Sequence, residues 1–495
     1  MEQLPLLTII IVLPLVGGLL ALATSRRPMA CRWISLVFSL VDLSLVSSLF
    51  FLGLTPKTGP TGAWLMAEDL PWIESFNIRY SLGLDGVSLP LILLTAFLLV
   101  ICVLISWKQI DQKVGEFHFC LMLTQTSIMG VFLATDLFLF YLFWEMQLIP
   151  MFFLVGIWGH EKRIQATIKF IMFSVSGSLF MLIALIGLYL LHGAHTGHYT
   201  FALSRLMDAS LSHGEELFLY AAFFVAFAIK VPVIPVHTWL PDAHTQAPTA
   251  GSVDLAGLLL KTGPYALFRI AIPIFPTAVK TSIPLLFILG LGGLFYAAWI
   301  AFSQHDVKRL VAYSSIAHMG LIVIGFAVWD AMTLNGAFLL MINHALSTSA
   351  LFIMVGMLNE RLDSRDLAHI GGLWKKMPVY SAFFLFFALA SAGLPGLNNF
   401  VSELLIVIGT FKYNPLVAIL AFAGLVFTLA YILRMVQHAL FGVTIHEDRL
   451  FDATPREVII LGVLASAILF LGLHPAPVLD LFREPVRCAL ENCPF

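Results

Sequence analysis

Nine charged side chains stand inside stretches that are otherwise apolar: Asp42, Glu145, Lys169, Lys230, Asp254, Lys261, Arg269, Glu403 and Arg434, with His318 and His344 in the same setting. A charge at the centre of a bilayer costs at least about 2.5–3.5 kcal/mol on insertion scales, so each needs a reason to be there. Lysine, glutamate and histidine are residue types that can pass a proton along a buried path. Lys230 and Lys261 are the central candidates, and Glu145 of Phe143-Trp144-Glu145 is the expected partner of Lys230; a structural salt bridge is the alternative. His318 and His344 fall on consecutive expected helices and suit relays. Satisfied core histidines and a haem ligand pair compete with that reading, although a haem would want two such pairs on facing helices. Glu403 is the expected last carrier on the outward side. Asp254, seven residues or about two turns before Lys261, should share its helix face. Lys169 is either a snorkelling residue near a helix end or part of the uptake path. Asp42 and Arg434 stand open between structural and functional roles.

The spacing of these residues repeats. Glu145 and His318 are 173 residues apart, as are Lys230 and Glu403, and Lys261 and Arg434. The pairs fall in the fifth and tenth, seventh and twelfth, and eighth and thirteenth expected helices, an odd offset. Two copies so related cross the membrane in opposite directions, which is an inverted-topology repeat. Each copy holds a helix its own sequence interrupts: Pro232 and Pro235 follow Lys230, and Gly393-Leu394-Pro395-Gly396 precedes Glu403. Both spans should break near mid-membrane, beside an ionisable residue. The segment VPVIPVHTWLPDAHTQAPTAGSVDLAGLLLK, Val231 to Lys261, cannot be one helix. Pro248 suits a first helical turn, with Asp242, Thr245 or Thr249 as candidate caps. His237 and His244 there read as structural, since no third metal ligand is evident.

The elements that must position these groups follow from composition. Of 495 residues, 60% are hydrophobic and only 11% charged, with a mean hydropathy of +0.94. That excludes a soluble enzyme, a disulfide scaffold and a disordered chain. The 27 basic and 29 acidic residues nearly cancel, which gives no sign of a nucleic-acid partner. An all-α polytopic membrane protein is expected, with about fourteen apolar runs near 4–23, 33–53, 85–106, 117–135, 137–158, 168–191, 216–236, 249–273, 283–303, 310–329, 333–357, 379–411, 415–441 and 456–481. The first reads as a retained helix, not a signal peptide. Three helices fill 1–116, helices 4–8 and 9–13 form repeats over 117–273 and 282–441, and 442–495 holds helix 14 and a short tail. Alternate loops carry fifteen basic residues, Arg449 among them, against seven, which puts the first set in the cytoplasm and both termini outside. Of five cysteines, Cys488 and Cys493 are either unpaired thiols or a pair. There is no G-x-G-x-x-G after a strand, no P-loop and no nucleophile elbow, so nothing points to redox chemistry in this chain.

At Phe143-Trp144-Glu145, the VPVIPVHTWLPDAHTQAPTAGSV run, Lys261 and the stretch from Asp306 to Gly320, DVKRLVAYSSIAHMG, the sequence closely resembles the antiporter-like membrane subunits of respiratory complex I and of Mrp-type Na⁺/H⁺ antiporters. The likeness spans essentially the whole chain. Glu403, where other branches usually carry lysine, and an end at Phe495 soon after the last span match the M-type branch. The resemblance implies a proton-translocating subunit of NADH:quinone oxidoreductase in the bacterial inner membrane. Glu145, Lys230, Lys261 and Glu403 would be its proton-path residues, with His318 and His344 as relays; Lys169, Asp254, His237 and Arg434 would be accessory. Some relatives have an apolar residue where Asp254 stands. No cofactor is expected on this chain, and FMN, iron–sulfur clusters and quinone are expected in partner subunits. Those partners would be other membrane and peripheral subunits of complex I, including further antiporter-like ones. The alternative is a cation/proton antiporter subunit without redox partners.

Overall fold

The computed structural model describes residues 5–52, 57–59, 62–207, 209–443 and 450–492. Leu4, Gly53, Arg449 and Cys493, which figure in the span, charge and cysteine readings, lie outside them. Helices α1 (Leu6–Ala23) and α2 (Pro28–Phe51) come first, α2 starting on a proline where no helical donor is lost. The next stretch, with no element expected, holds two antiparallel ladders. Strand β1 (Lys57–Gly59) pairs with β2 (Gly62–Trp64), and β3 (Met66–Ile73) pairs with β4 (Ile78–Leu84). Asn77 reverses the second with φ +51°, a conformation asparagine tolerates. Glu68 of β3 caps α1 by accepting from the amides of Leu7 (2.6 Å) and Thr8 (3.1 Å).

Helices α3 (Ser88–Gln109) and α4 (Val114–Leu133) follow. The fifth expected span is bent at Gln147 into α5 (Leu137–Met146) and α6 (Leu148–Trp158), because Pro150 has no N–H for the carbonyl of Met146. Then come α7 (Arg163–Thr196), α8 (Leu203–Leu206), α9 (His213–Lys230) and α10 (Trp239–Gln246). Ser212 and Glu215 start α9 with a capping box. Helices α11 (Thr249–Asp254), α12 (Leu260–Ala266) and α13 (Ile272–Ile274) form one column, joined through two wide π-type turns at Leu255–Leu259 and Leu267–Ala271. The remainder is α14 (Pro276–Ser303), α15 (Val307–Val328), α16 (Ala331–Leu362), α17 (Leu373–Lys376), α18 (Pro378–Ser391), α19 (Asn398–Tyr413), α20 (Pro415–Leu440), α21 (Pro455–Leu473) and α22 (Ala476–Asn492).

Among the described residues twelve helical stretches are long and apolar enough to cross a bilayer. The seventh and twelfth expected spans are not among them. One is α9, which carries Glu215, Glu216 and Lys230; the other is divided between α18 and α19. The last run was expected to reach residue 481. It ends at Leu473, and what was read as a short tail is α22, whose Val478, Phe482 and Val486 are buried at four-residue spacing. Its polar face carries the pairs Arg483–Asp480 and Arg487–Glu484.

The layering is that of a protein dissolved in lipid. The Thr249–Ile274 column, α15 and α16 are buried almost throughout, whereas α7, α14 and α20 turn Ile183, Ile288, Trp299 and Phe422 outward. The inner helices are tied at their ends by charge. Arg361 of α16, 1% exposed at its side chain, meets Glu457 of α21 at 2.8 Å and also donates to the Phe451 carbonyl. Removing one partner of such a pair strands the other charge in the interior. Arg361→Met is therefore expected to destabilise the protein by about 3–5 kcal/mol in thermal melting of the solubilised subunit. Adding Glu457→Gln, which can still accept from Thr454, should recover part of that loss.

Candidate functional site

The wide turn at Leu255–Leu259 is what aims Lys261. A π turn holds an extra residue, and here it brings the carbonyl of Ala256 to within 2.6 Å of the lysine Nζ. The same Nζ lies 2.8 Å from Nδ1 of His344 on α16. Either nitrogen can donate in this contact, according to the histidine tautomer and the charge on the lysine. The His344 ring faces His318 of α15, with centroids 5.2 Å apart. Nδ1 of His318 is 2.8 Å from the Ser314 carbonyl, and Nε2 is 3.2 Å from the Ser391 carbonyl and 3.4 Å from Oε1 of Glu403. Both nitrogens face oxygen atoms. Lys261, His344, His318 and Glu403 thus form one buried polar line through the inner helices.

The broken helix builds the far end of that line. Ser391 is the last residue of α18, so its carbonyl is released to His318. Gly393 turns the chain with φ +74°, and a Cβ there would overlap Oε2 of Glu403. A glycine is therefore required twice over at that position. Asn343 and Asn398 exchange side-chain-to-backbone hydrogen bonds of 2.7 and 2.9 Å, which pins the start of α19 to α16 one residue from His344. These two asparagines were not singled out in the sequence, and their only signal was polarity inside apolar runs.

The first break is arranged differently. Lys230 closes α9, is 1% exposed, and points its Nζ at the Trp144 ring, 5.3 Å from the centroid. It has no hydrogen-bond partner among the described residues, and Glu145, half-buried beside it, makes no ion pair with it within 4 Å. The structural salt bridge between Lys230 and Glu145, the alternative to a functional partnership, is not formed. The reason is that Glu145 lies one residue beyond the ring that Lys230 covers. Trp239 locks the turn by donating to the Ile229 carbonyl (2.9 Å), and α12 crosses so near that a Cβ on Gly263 would lie 2.9 Å from the Val231 nitrogen.

The hairpin after Lys230 ends in a polar basin of about 940 Å³ lined by the 159–166, 305–309 and 359–366 segments. Asp242, expected as a cap, instead binds Lys169 (2.7 Å) and Arg309 (3.5 Å). Pro248 stands just before α11, and Thr245 donates to the Pro241 carbonyl. The free carbonyls at the end of α10 are met by cations: Arg365 on Thr245 (2.7 Å) and Lys308 on Ala247 (2.5 Å). His160 in the basin wall is held down to about 4 by burial and by the Lys308 and Arg365 charges, so it is neutral at physiological pH. Behind Lys308 lies His244, fully buried and stacked on Phe352 at 4.6 Å. Sequence gave it a structural place, and its position between Lys308 and the Lys261–His344 contact was invisible there.

The remaining candidates stand apart from the line. Asp254 accepts from Cys102 Sγ at 3.4 Å on α3, whereas Lys261 reaches α16, because the intervening π turn rotates the column between them. His237 sits edge-on to Tyr296, and Arg434, half-buried, lies over Phe302 at 5.0 Å. Arg269 pairs with Asp85 at the hairpin end; burial works to raise that carboxyl, but the guanidinium outweighs it and holds it below the ordinary range. Among the described residues no three His, Cys, Asp or Glu side chains converge as a metal would need.

Residues 134–428 match the family described as NADH:quinone oxidoreductase/Mrp antiporter, TM. A protein of Pseudomonas aeruginosa named NADH-quinone oxidoreductase subunit M is 45% identical over 482 residues, 95% of each chain, and one of Escherichia coli K12 with the same name is 43% identical over 486 residues, 96% of each. A chain of respiratory complex I from Thermus thermophilus superposes with a TM-score of 0.87 at 29% identity over 99% of this chain and all of that one. A chain of the Mrp complex of Dietzia superposes at 0.82 over 99% of this chain and 52% of that one, but at 23% identity it attests the fold alone.

The two glycines of the second break separate strain from overlap. Gly393→Ala and Gly396→Ala both force alanine to positive φ, which costs about 1–2 kcal/mol. Only Gly393→Ala also drives a methyl group into Glu403. Thermal melting should show Gly393→Ala to be the more damaging of the two, and equal losses would contradict the packing described.

Proposed function

The chain belongs to the NADH:quinone oxidoreductase/Mrp antiporter membrane family, in the branch whose members are named subunit M, and on that footing we propose that it moves protons across the membrane as a subunit of NADH:quinone oxidoreductase. The line Lys261–His344–His318–Glu403 carries this reading. A proton needs donors and acceptors close together in an otherwise apolar interior; Lys261 and His344 stand at hydrogen-bond distance, 2.8 Å, and Glu403 Oε1 lies within ion-pair reach of His318, 3.4 Å. Between the two imidazoles, at 5.2 Å, a ring rotation or one water completes the step. Protons enter from the cytoplasm by way of the basin and Lys230 and leave past Glu403, with Glu145 as the acid that tunes Lys230. His237, Lys169, Asp254 and Arg434 have accessory places.

In this reading residues 117–273 and 282–441 are the two inverted repeats, one half-channel each, with 1–116 and 442–495 flanking them. The charge bias of the loops sets both termini on the periplasmic side of the inner membrane. Moving one charge against 100 mV costs about 2.3 kcal/mol, which this chain cannot supply by itself. Redox chemistry in partner subunits, where FMN, iron–sulfur clusters and quinone are bound, provides it, and this chain holds no redox site of its own. A cation/proton antiporter without redox partners has the weaker support, since the chains named for that activity resemble this one in fold at low identity.

The test is proton translocation per electron during NADH oxidation by vesicles that hold the assembled complex. Lys261→Ala, Lys230→Ala and Glu145→Ala are each expected to slow transfer through this subunit on the order of 10²-fold, the range typical for loss of a positioned acid or base. Undiminished pumping in assembled variants would sink the assignment and leave these charges with a purely structural role.

A further inference from the structure

A second set of buried polar groups lies outside the line just described, between the N-terminal helices. The buried stripe of α2 reads Cys31, Ser35, Ser39, Asp42, Val46 and Leu49, one helix face that is polar from its Pro28 end to the middle and apolar beyond. Against it stands α4, whose His118 and Gln125 are two turns apart on one face. Asp42 and His118 are wholly buried, and Gln125 flanks the carboxylate. Both carboxylate oxygens of Asp42, both ring nitrogens of His118, Oε1 of Gln125 and Oγ of Ser35 have no hydrogen-bond partner among the described residues.

Among the described residues no cation pairs with Asp42. Helix α1 has no ionisable side chain from Leu6 to Ala23. On α3, Lys108 lies in the last turn and the Cys102 thiol is bonded to Asp254. On α4 the other titratable groups are His118, Glu116 and Cys120. Arg32 on α2 itself is ten residues away, about 15 Å along the helix, with its guanidinium on the Ile110 carbonyl. A buried carboxylate with neither a cation nor a donor is among the most costly arrangements a protein can hold. One proton removes the charge and adds the missing donor, and the Gln125 amide oxygen is an acceptor at hand, since an amide can present either end.

We propose that Asp42 is a second proton-binding site, formed with Gln125 and loaded from the Pro28 end of α2 past His118 and Ser35. The proposal does not depend on the path through Lys261. It takes a proton, not a metal ion: Asp42 is a single carboxylate, and among the described residues no cluster of three metal-ligating side chains forms.

Infrared spectroscopy of the intact purified complex tests it. The wild-type minus Asp42→Asn difference spectrum at neutral pH should contain the C=O stretch of a protonated carboxylic acid, downshifted in D₂O and the same in sodium-free and sodium-containing buffer. A difference made only of carboxylate bands would overturn the proposal, and so would an acid band that disappears when sodium is added. If Asp42→Asn fails to assemble, Gln125→Leu reads the same group. The acid band should shift when its acceptor is lost, and an unmoved spectrum counts against the site. The loading side is read from deuterium exchange, which should slow about tenfold in His118→Leu and overturns that route if unchanged.

Discussion

Hydrocarbon offers no hydrogen bond to anything, and the architecture follows from that single constraint. Charges and interrupted helices are drawn inside the protein, where partners can be found. The outer helices therefore show lipid-facing isoleucine, phenylalanine and tryptophan, and polar side chains retreat to the column from Thr249 to Ile274 and to α15 and α16. This is the reverse of the water-soluble pattern, and it keeps the ionisable groups of the inner helices away from lipid.

Each irregular stretch of backbone then has a use. The π turn before Lys261 gives up helical regularity and offers the Ala256 carbonyl to the ammonium. The break after Ser391 releases a carbonyl to His318 and makes room for Glu403 against Gly393. At the break after Lys230 the Ile229 carbonyl goes to Trp239, and the end of α10 gives its carbonyls to Lys308 and Arg365. Without neighbours to take them up, each of these groups would oppose insertion, so the breaks and the cations that meet them form one arrangement.

The two halves differ in how tightly they are joined. Glu403 and His318 are within ion-pair distance, whereas Glu145 and Lys230, at the corresponding spacing in sequence, form no ion pair, and Lys230 lies over the Trp144 ring. In the proposed path the far half is connected and the near half open, an arrangement that would hold a proton without passing it straight through. Alternation between such states is what a pump needs to avoid leaking.

How much of this was legible in the sequence depends on the distance over which each feature is decided. Apolar run length and loop charge are local sums, so the membrane class, most span positions and the nine misplaced charges could be read directly. Proline and glycine act on their own residue, so both breaks were marked. The β3–β4 hairpin and the amphipathic α22 were missed because their patterns are short and polar among much stronger apolar signals. Spacing along a helix could not say which faces meet: Lys261 with His344, 83 residues on, or His318 with Glu403. The π turn that parts Asp254 from Lys261 has no sequence mark, since it arises where crowded neighbours displace a backbone hydrogen bond. Composition and punctuation thus determined a polytopic helical protein with buried charges and two broken spans. Only the packing of distant helices decided which of those charges touch, because a buried polar contact depends on both surfaces at once.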